Sequence, residues 1–221
     1  EAGRALLPGP LIATHLAAGL VAGAAEGTAV VTGPDGGLVE WLAEADVVRG
    51  DVTGAEPVRS ADPLTPLHRV RSAGEVWDAG GTGTPERALL SAAEQMGSAG
   101  RSTALAVQHA RTREQFGQPI GAFQAVKHLC AEMLVRTEVA RAAVYAAAVT
   151  GDPVEIAGAK LLADEAAVRC ARDCLQVHGG MGFTWEAEVH LHLKRAWLRC
   201  ARWPTARQAR ELQAAALAQA M

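Results

Sequence analysis

From residue 84 to residue 149 the sequence sustains one pattern. Apolar or small side chains return every three or four positions, at Leu89, Ala93, Met96, Gly100, Ala104 and Val107, ending on Arg111, and again at Val126, Leu129, Met133, Thr137, Ala140, Val144 and Ala147. That spacing follows the α-helical turn, so each run predicts a long helix with one face to bury. Long helices bury such faces against each other, which restricts this part of the chain to a bundle. Composition agrees: hydrophobic residues make up 49% of the 221 positions but aromatics only 4%, and an Ala- and Leu-rich interior favours close-packed helices over a β-sandwich.

The punctuation divides this region further. Thr84 can cap the first long helix, Pro85 suits its first position and Glu86 complements its dipole. A second helix is expected over 122–149. Gly151-Asp152-Pro153 then supplies a turn, a cap and a helix start in three residues. The third helix runs from Val154 through Leu161, Val168 and Leu175 and stops at Gly179-Gly180, where glycine permits the left-handed conformation of a helix end. A fourth is expected over 185–201, and Pro204 opens a short last helix. The expected fold is mainly α, an antiparallel four-helix bundle over 84–221.

Residues 1–83 read differently. They are rich in Gly, Pro and Asp, and short β-like runs at 28–32, 37–41, 45–48 and 68–71 are separated by turn signals such as Pro34-Asp-Gly-Gly37. The stretch 11–31 is apolar, but His15 and Glu26 interrupt it, and Pro8 and Pro10 sit poorly in a secretion signal. It is expected to be an interior helix ahead of a small, partly β region. No membrane span is expected.

A formal charge of −3 gives no bias towards nucleic acid. The cysteines, at 130, 170, 174 and 200, form no Cys-x-x-Cys pair. Cys170 and Cys174, one helical turn apart, read as core packing with no metal, which suits reduced thiols and a cytoplasmic protein. His190 and His192 are two apart and point to different helix faces. The basic cluster Lys194, Arg195, Arg199, Arg202, Arg207 and Arg210 reads as a solvated face, or else one turned to nucleotide phosphates.

Two constellations suit a dinucleotide. Arg113 lies where the first long helix ends, before a Gly- and Pro-containing connection from Phe116 to Phe123, and its planar fork matches pyrophosphate oxygens as well as it suits a solvated helix end. Gly179-Gly180 permits close approach of a planar ligand to the backbone or simply turns the chain. His178 beside them can donate to an oxygen or cap the helix.

Taken in order, Arg113-Glu-Gln-Phe-Gly117, Gln124 and Gln176-Val-His-Gly-Gly180 resemble the flavin-binding motifs of the acyl-CoA dehydrogenase family, a resemblance that spans residues 85–200. It implies FAD as cofactor, with Arg113, Phe116 and Gln124 on the dinucleotide and Gln176, Gly179 and Gly180 reaching it across a subunit interface. Family members remove an α proton from an acyl-CoA thioester with a glutamate while the β hydride passes to the flavin. The family's spacing from Gly180 brings its glutamate-glycine-threonine motif onto Trp203-Pro204-Thr205. Trp203 thus stands at the usual glutamate position, and indole cannot accept a proton. Thr205, at the last position, remains a cofactor-binding candidate. A second family location for the base falls near Arg87, beside Glu86; Glu94, which interrupts an apolar run, is the other weak candidate for a base, and each has a simpler account as a dipole-matching or a paired carboxylate.

Full-length members place a helical domain and a β-barrel before the bundle, so residues 1–83 resemble a reduced version of both. Members that act on sterol side-chain thioesters are similar in the Gly182–Glu186 run, and some pair a catalytic chain with a related chain lacking the base in a heterotetramer. The resemblance therefore implies an FAD-site subunit partnered by a catalytic chain, or a self-dimer, with an acyl-CoA substrate. The alternatives are a self-sufficient FAD-dependent dehydrogenase using Glu86 or Glu94, and a cofactor-free helical interaction protein.

Overall fold

A computed structural model describes residues 1–35, 37–70, 83–202 and 204–220. The chain opens with two short helices, α1 (Ala2–Ala5) and α2 (Leu11–Leu16). The helix expected over 11–31 is therefore one and a half turns long. Turns follow it, because Gly23 and Gly27 take positive φ angles of 84° and 71° that a right-handed helix cannot accommodate. Its apolar residues still pack: Ala13, Ala17, Ala24 and Val31 form a small core of their own.

Five short strands follow. β1 (Val31–Thr32) pairs in parallel with β3 (Val47–Val48), while β2 (Leu38–Glu40), β5 (Leu67–Arg69) and β4 (Glu56–Val58) form an antiparallel sheet in that order. Three of them fall inside the expected runs and β5 starts one residue ahead of the last, whose Arg71 is outside the described residues. β4, which contains Pro57, is not among the expected runs. It lies at the sheet edge, where a residue without an N–H is tolerated.

The bundle is built from α3 (Gly83–Thr112), α4 (Gln124–Thr150), α5 (Pro153–His178) and α6 (Val189–Cys200), followed by α7 (Ala206–Ala220). Asp152 caps α5 by accepting from the Val154 and Glu155 amides at 2.8 and 2.9 Å, as its place before Pro153 predicts. The side chain of Thr84, the expected cap of α3, lies outside the described ones. Gln95 reaches Asp164, and His109 stacks on His178, so α3 and α5 run parallel with a constant offset in sequence. α4 runs opposite to them. So does α6, whose His192, Ala196 and Arg199 meet Ser98, Gln95 and Glu94 of α3 in reverse order.

The α4 face is the one the spacing predicts, with Met133, Thr137, Ala140, Val144 and Ala147 buried. On α3 the buried stripe is one position away: Ala88, Ala92, Gln95, Ala99, Ala106 and Ala110 face the core, whereas Ala104, Val107 and Arg111 are exposed. α5 behaves alike, burying Ile156, Ala159, Ala163, Ala166, Cys170 and Cys174, with Leu161 and Val168 at the flank. Small side chains let the helices approach closely, and the larger ones fill the edges of the contact. Two further corrections concern α6 and α7. The segment 185–188 precedes α6 as turns after a 3-10 segment (Gly179–Phe183), and α7 starts two residues past Pro204.

No helix among the described residues is long and apolar enough to cross a membrane.

Candidate functional site

The end of α3 leads into a hairpin absent from the helical pattern. The Arg113 amide still donates to the His109 carbonyl at 2.8 Å, and β6 (Glu114–Gln115) then pairs with β7 (Gln118–Pro119). The two turn residues between them, Phe116 and Gly117, have φ angles of 54° and 77°. Two consecutive positive φ values match the hairpin turn that usually carries Asn-Gly, and a Phe there is strained by an order of 1 kcal/mol. Its ring is 92% exposed and touches Phe123 edge-on, with 6.0 Å between centroids. Gln124, the first residue of α4, is exposed, its amide nitrogen 3.5 Å from His128 Nε2.

The second constellation lies beside the first. Gln176 is exposed on the last turn of α5, and Gly179 ends that helix at φ 61° and ψ −141°, a conformation open only to glycine at low cost. A Cβ placed on Gly179 or Gly180 would meet nothing within 4 Å, so this backbone is open on its outer side. The rings of His109 and His178 stack at 4.2 Å and 21°, which brings the ends of α3 and α5 together. His178 Nδ1 donates to the Cys174 carbonyl at 2.8 Å, so His178 serves first as a helix-end group. Burial, then the neighbouring His178 and Arg113, pull the pKa of His109 below its ordinary value. Arg113, Phe116, Gln124, Gln176, Gly179 and Gly180 thus share one exposed edge of the bundle. Thr205 does not join them: it precedes α7 beside the middle of α5, where its hydroxyl donates to Gln208 Oε1 at 2.8 Å.

The carboxylate candidates are placed as follows. Glu86 is exposed in the first turn of α3. Glu94 is buried and engages Arg199 Nε at 2.7 Å, Arg199 Nη2 at 3.3 Å and Arg195 Nη1 at 3.2 Å. Both oxygens of this carboxylate are therefore taken up by guanidinium groups, which leaves neither open to a substrate. Trp203 lies outside the described residues; its neighbours Arg202 and Pro204 are buried.

Glu94 belongs to a larger array that the sequence did not reveal. Arg195 pairs with Asp62, Arg199 Nη1 with Glu40 Oε1 at 2.6 Å, and Arg202 Nη2 with the same oxygen at 2.5 Å. Burial alone would raise the pKa of Glu40, but the charges of Arg199 and Arg202 and their hydrogen bonds prevail and bring it to about 2. Of the basic cluster expected to be solvated or turned to phosphates, Arg195, Arg199 and Arg202 are instead buried ion-pair partners. Arg195 and Arg199, four apart, share one face of α6 between apolar residues and Arg202 follows just past its end, a signal that acidic partners had to exist elsewhere in the chain.

Of the histidines, His190 is mostly buried against Trp185 and Lys194, and His192 is wholly buried with Nδ1 2.8 Å from Ser98 Oγ. Burial holds the pKa of His192 down at about 4, so the ring is neutral at pH 7. All four cysteines are free. Burial raises the thiol pKa of Cys174 and of Cys200 to about 12, which makes both inert. No group of three or more His, Cys, Asp or Glu arranged for a metal ion occurs among the described residues.

Comparison with known proteins accounts for this arrangement. Residues 81–218 match the family described as acyl-CoA dehydrogenase, C-terminal domain. Over 218 residues the chain is 38% identical to the acyl-CoA dehydrogenase IpdE2 of Mycobacterium tuberculosis, an overlap of 89% of this chain and 69% of that protein. Among solved structures it resembles a chain of the ChsE4-ChsE5 complex from Mycobacterium tuberculosis, with a TM-score of 0.81 and 22% identity, covering 99% of this chain and 78% of that one. It also resembles a chain of the Tcur3481-Tcur3483 steroid ACAD, with a TM-score of 0.82 and 20% identity over 99% of this chain and 79% of that one. The two structures share its fold. With the profile match and the IpdE2 identity in agreement, the chain belongs to the acyl-CoA dehydrogenase family.

Proposed function

We propose that this chain helps bind FAD in an acyl-CoA dehydrogenase complex, beside a related chain that carries the catalytic base, in α,β-dehydrogenation of an acyl-CoA thioester. In this reading 1–83 is a small region abutting a flavin-binding bundle over 84–221. The observation that carries it is the shared exposed edge, where the hairpin of Arg113 and Phe116 and the Gly179-Gly180 turn are held together by the His109–His178 stack. The residues there fit a dinucleotide. Arg113 presents an exposed guanidinium for a pyrophosphate, Gln124 and Gln176 present amides that both donate and accept, and Gly179-Gly180 leaves the backbone open to close approach. Bound FAD would supply the hydride acceptor for the β hydrogen. Thr205 stands apart from that edge, which fits a cofactor-binding role only at a different part of an extended ligand or in a different protomer's site.

The base is assigned to the partner because Glu94 is committed to Arg195 and Arg199, Glu86 is exposed, and the sequence carries Trp at position 203. The likeness to a ChsE4-ChsE5 complex and to a steroid ACAD supports a two-chain assembly and a steroid-derived acyl group.

The test is to purify the chain alone and with candidate partner chains, and to record visible absorption. Flavin is expected only in the co-purified complex, and Arg113→Ala in this chain is expected to lower its flavin content at least tenfold, given the loss of a charge-assisted pair worth roughly 1.5–3 kcal/mol. A lone chain that retains flavin and reduces it with an acyl-CoA, with loss of that activity in Glu86→Gln, would return the base to this chain. A folded helical protein without flavin in any combination would favour an interaction role.

A further inference from the structure

A small cavity lies where α2, the β region, α3 and the segment after α6 meet, lined by Ile12, Thr32, Asp35, Arg87, Ser91 and Arg202 among others. It leaves about 40 Å³ for solvent-sized occupants. A buried water needs roughly 10–15 Å³ of such space, so there is room for about three. The walls are polar in a specific way. Three buried atoms have no hydrogen-bond partner: Arg202 Nε, Ser91 Oγ and Asp35 Oδ1. The residues that bear them are 7%, 4% and 8% exposed, so bulk water does not satisfy these atoms.

Arg199 and the two Nη atoms of Arg202 are already engaged. Arg199 spends Nε and Nη2 on Glu94 and Nη1 on Glu40, and Arg202 spends Nη1 on the Asp35 carbonyl at 2.8 Å and Nη2 on Glu40. Asp35 Oδ2 is 3.8 Å from Arg87 Nη1 and 3.9 Å from Arg202 Nη1, beyond hydrogen-bond reach and at the separation a bridging molecule fills. The three unpartnered atoms define the occupant. Arg202 Nε only donates, Asp35 Oδ1 only accepts, and Ser91 Oγ does both.

We propose that this cavity is a site for a cluster of two or three neutral donor-acceptor groups, namely ordered water, that bridges Asp35, Ser91 and Arg202. An anion would satisfy Arg202 and Ser91 but face the Asp35 carboxylate, Glu40 being already paired with two guanidinium groups, and an alkyl chain would leave all three polar atoms orphaned. The site therefore refuses both an anion and an acyl tail. It shares no residue with the edge of Arg113 and Gly179, but Arg87 and Arg202 in its wall stand near the two positions where the resemblance locates a base.

A crystal structure of the chain, alone or in its complex, decides the question when crystals are also soaked in bromide and examined by anomalous scattering. Two or three waters are expected, one within hydrogen-bond distance of Arg202 Nε and one of Asp35 Oδ1, with no bromide in the cavity. Asp35→Asn removes the carboxylate while keeping its shape, so that variant is expected to admit bromide beside Arg202. An empty cavity, a bromide peak in the unaltered protein, or an organic ligand seated there would overturn the proposal, as would an Asn variant that folds and still excludes bromide.

Discussion

Glu40 illustrates how far a single side chain can be moved by its neighbours. Its carboxyl is held at about 2 by Arg199 and Arg202, against a value near 4.5 when unfolded. A depressed carboxylate contributes stability that is complete above the unfolded value and is lost as the pH falls through the folded one, so between pH 4.5 and 2 the fold should lose roughly 3 kcal/mol from this group. His192 acts earlier: the unfolded ring takes up a proton below about 6.5 and the buried ring only near 4, which adds to the loss between those values. Denaturant titrations from pH 7 to 2 should show both phases, and Glu40→Gln should remove the lower one while costing about 3–5 kcal/mol at pH 7, because two buried guanidinium groups lose their shared partner. In a second test at this scale, Glu94→Gln should destabilise the chain by a similar amount yet leave flavin reduction by the assembled complex intact; a surviving complex that binds flavin but cannot reduce it would make Glu94 the base after all. The sequence allowed Glu94 to be read as a paired carboxylate, but not its partners, and it gave no sign of the role of Glu40. Partners more than a hundred residues apart leave no local pattern, whereas the Asp152 cap, whose partners are two and three residues away, did.

The elements were more legible than the faces they bury. The end of α4 and both ends of α5 follow from Gly151-Asp152-Pro153 and Gly179-Gly180, because caps and helix stops are local chemistry. The stripe on α3 was misplaced by one position, and on α5 Leu161 and Val168 flank the core while Leu175 is buried as expected, since large apolar residues were taken as the core where alanine makes the closest contacts. A similar logic explains α1. Its Gly3 sits against the backbone of α3, where a Cβ would fall 1.8 Å from the Glu94 carbonyl oxygen, and Gly97 answers it from α3. Gly3→Ala should therefore lift α1 from α3 and cost about 1–3 kcal/mol, seen as a lower melting temperature, whereas Ala5→Ser on the exposed side of α1 should leave it unchanged. The hairpin 114–119 escaped the helical reading because a Phe-Gly turn is not a usual hairpin signal. The resemblance, not the periodicity, directed attention to Arg113 and Phe116.

Across the whole molecule, the buried array joins regions that composition separates. Asp35, Glu40 and Asp62 come from the region before residue 71, and Arg195, Arg199 and Arg202 come from the far end of the bundle. Unfolding of the first region alone would strand three guanidinium groups in an apolar seat, at several kcal/mol each. In a variant that keeps Trp41, on the β side, as its one tryptophan, thermal unfolding followed by fluorescence and by helical circular dichroism should thus give one coincident transition; two separated transitions would show that the ion pairs do not couple the regions. The edge at Phe116 has the opposite character. An aromatic ring held at positive φ and bathed in solvent makes the isolated chain less stable and less soluble than Asn at that position would, so a stability-guided redesign would remove it first. Any such consensus repair would polish away a surface that the proposed flavin site needs, and melting temperature is the wrong guide for engineering that hairpin.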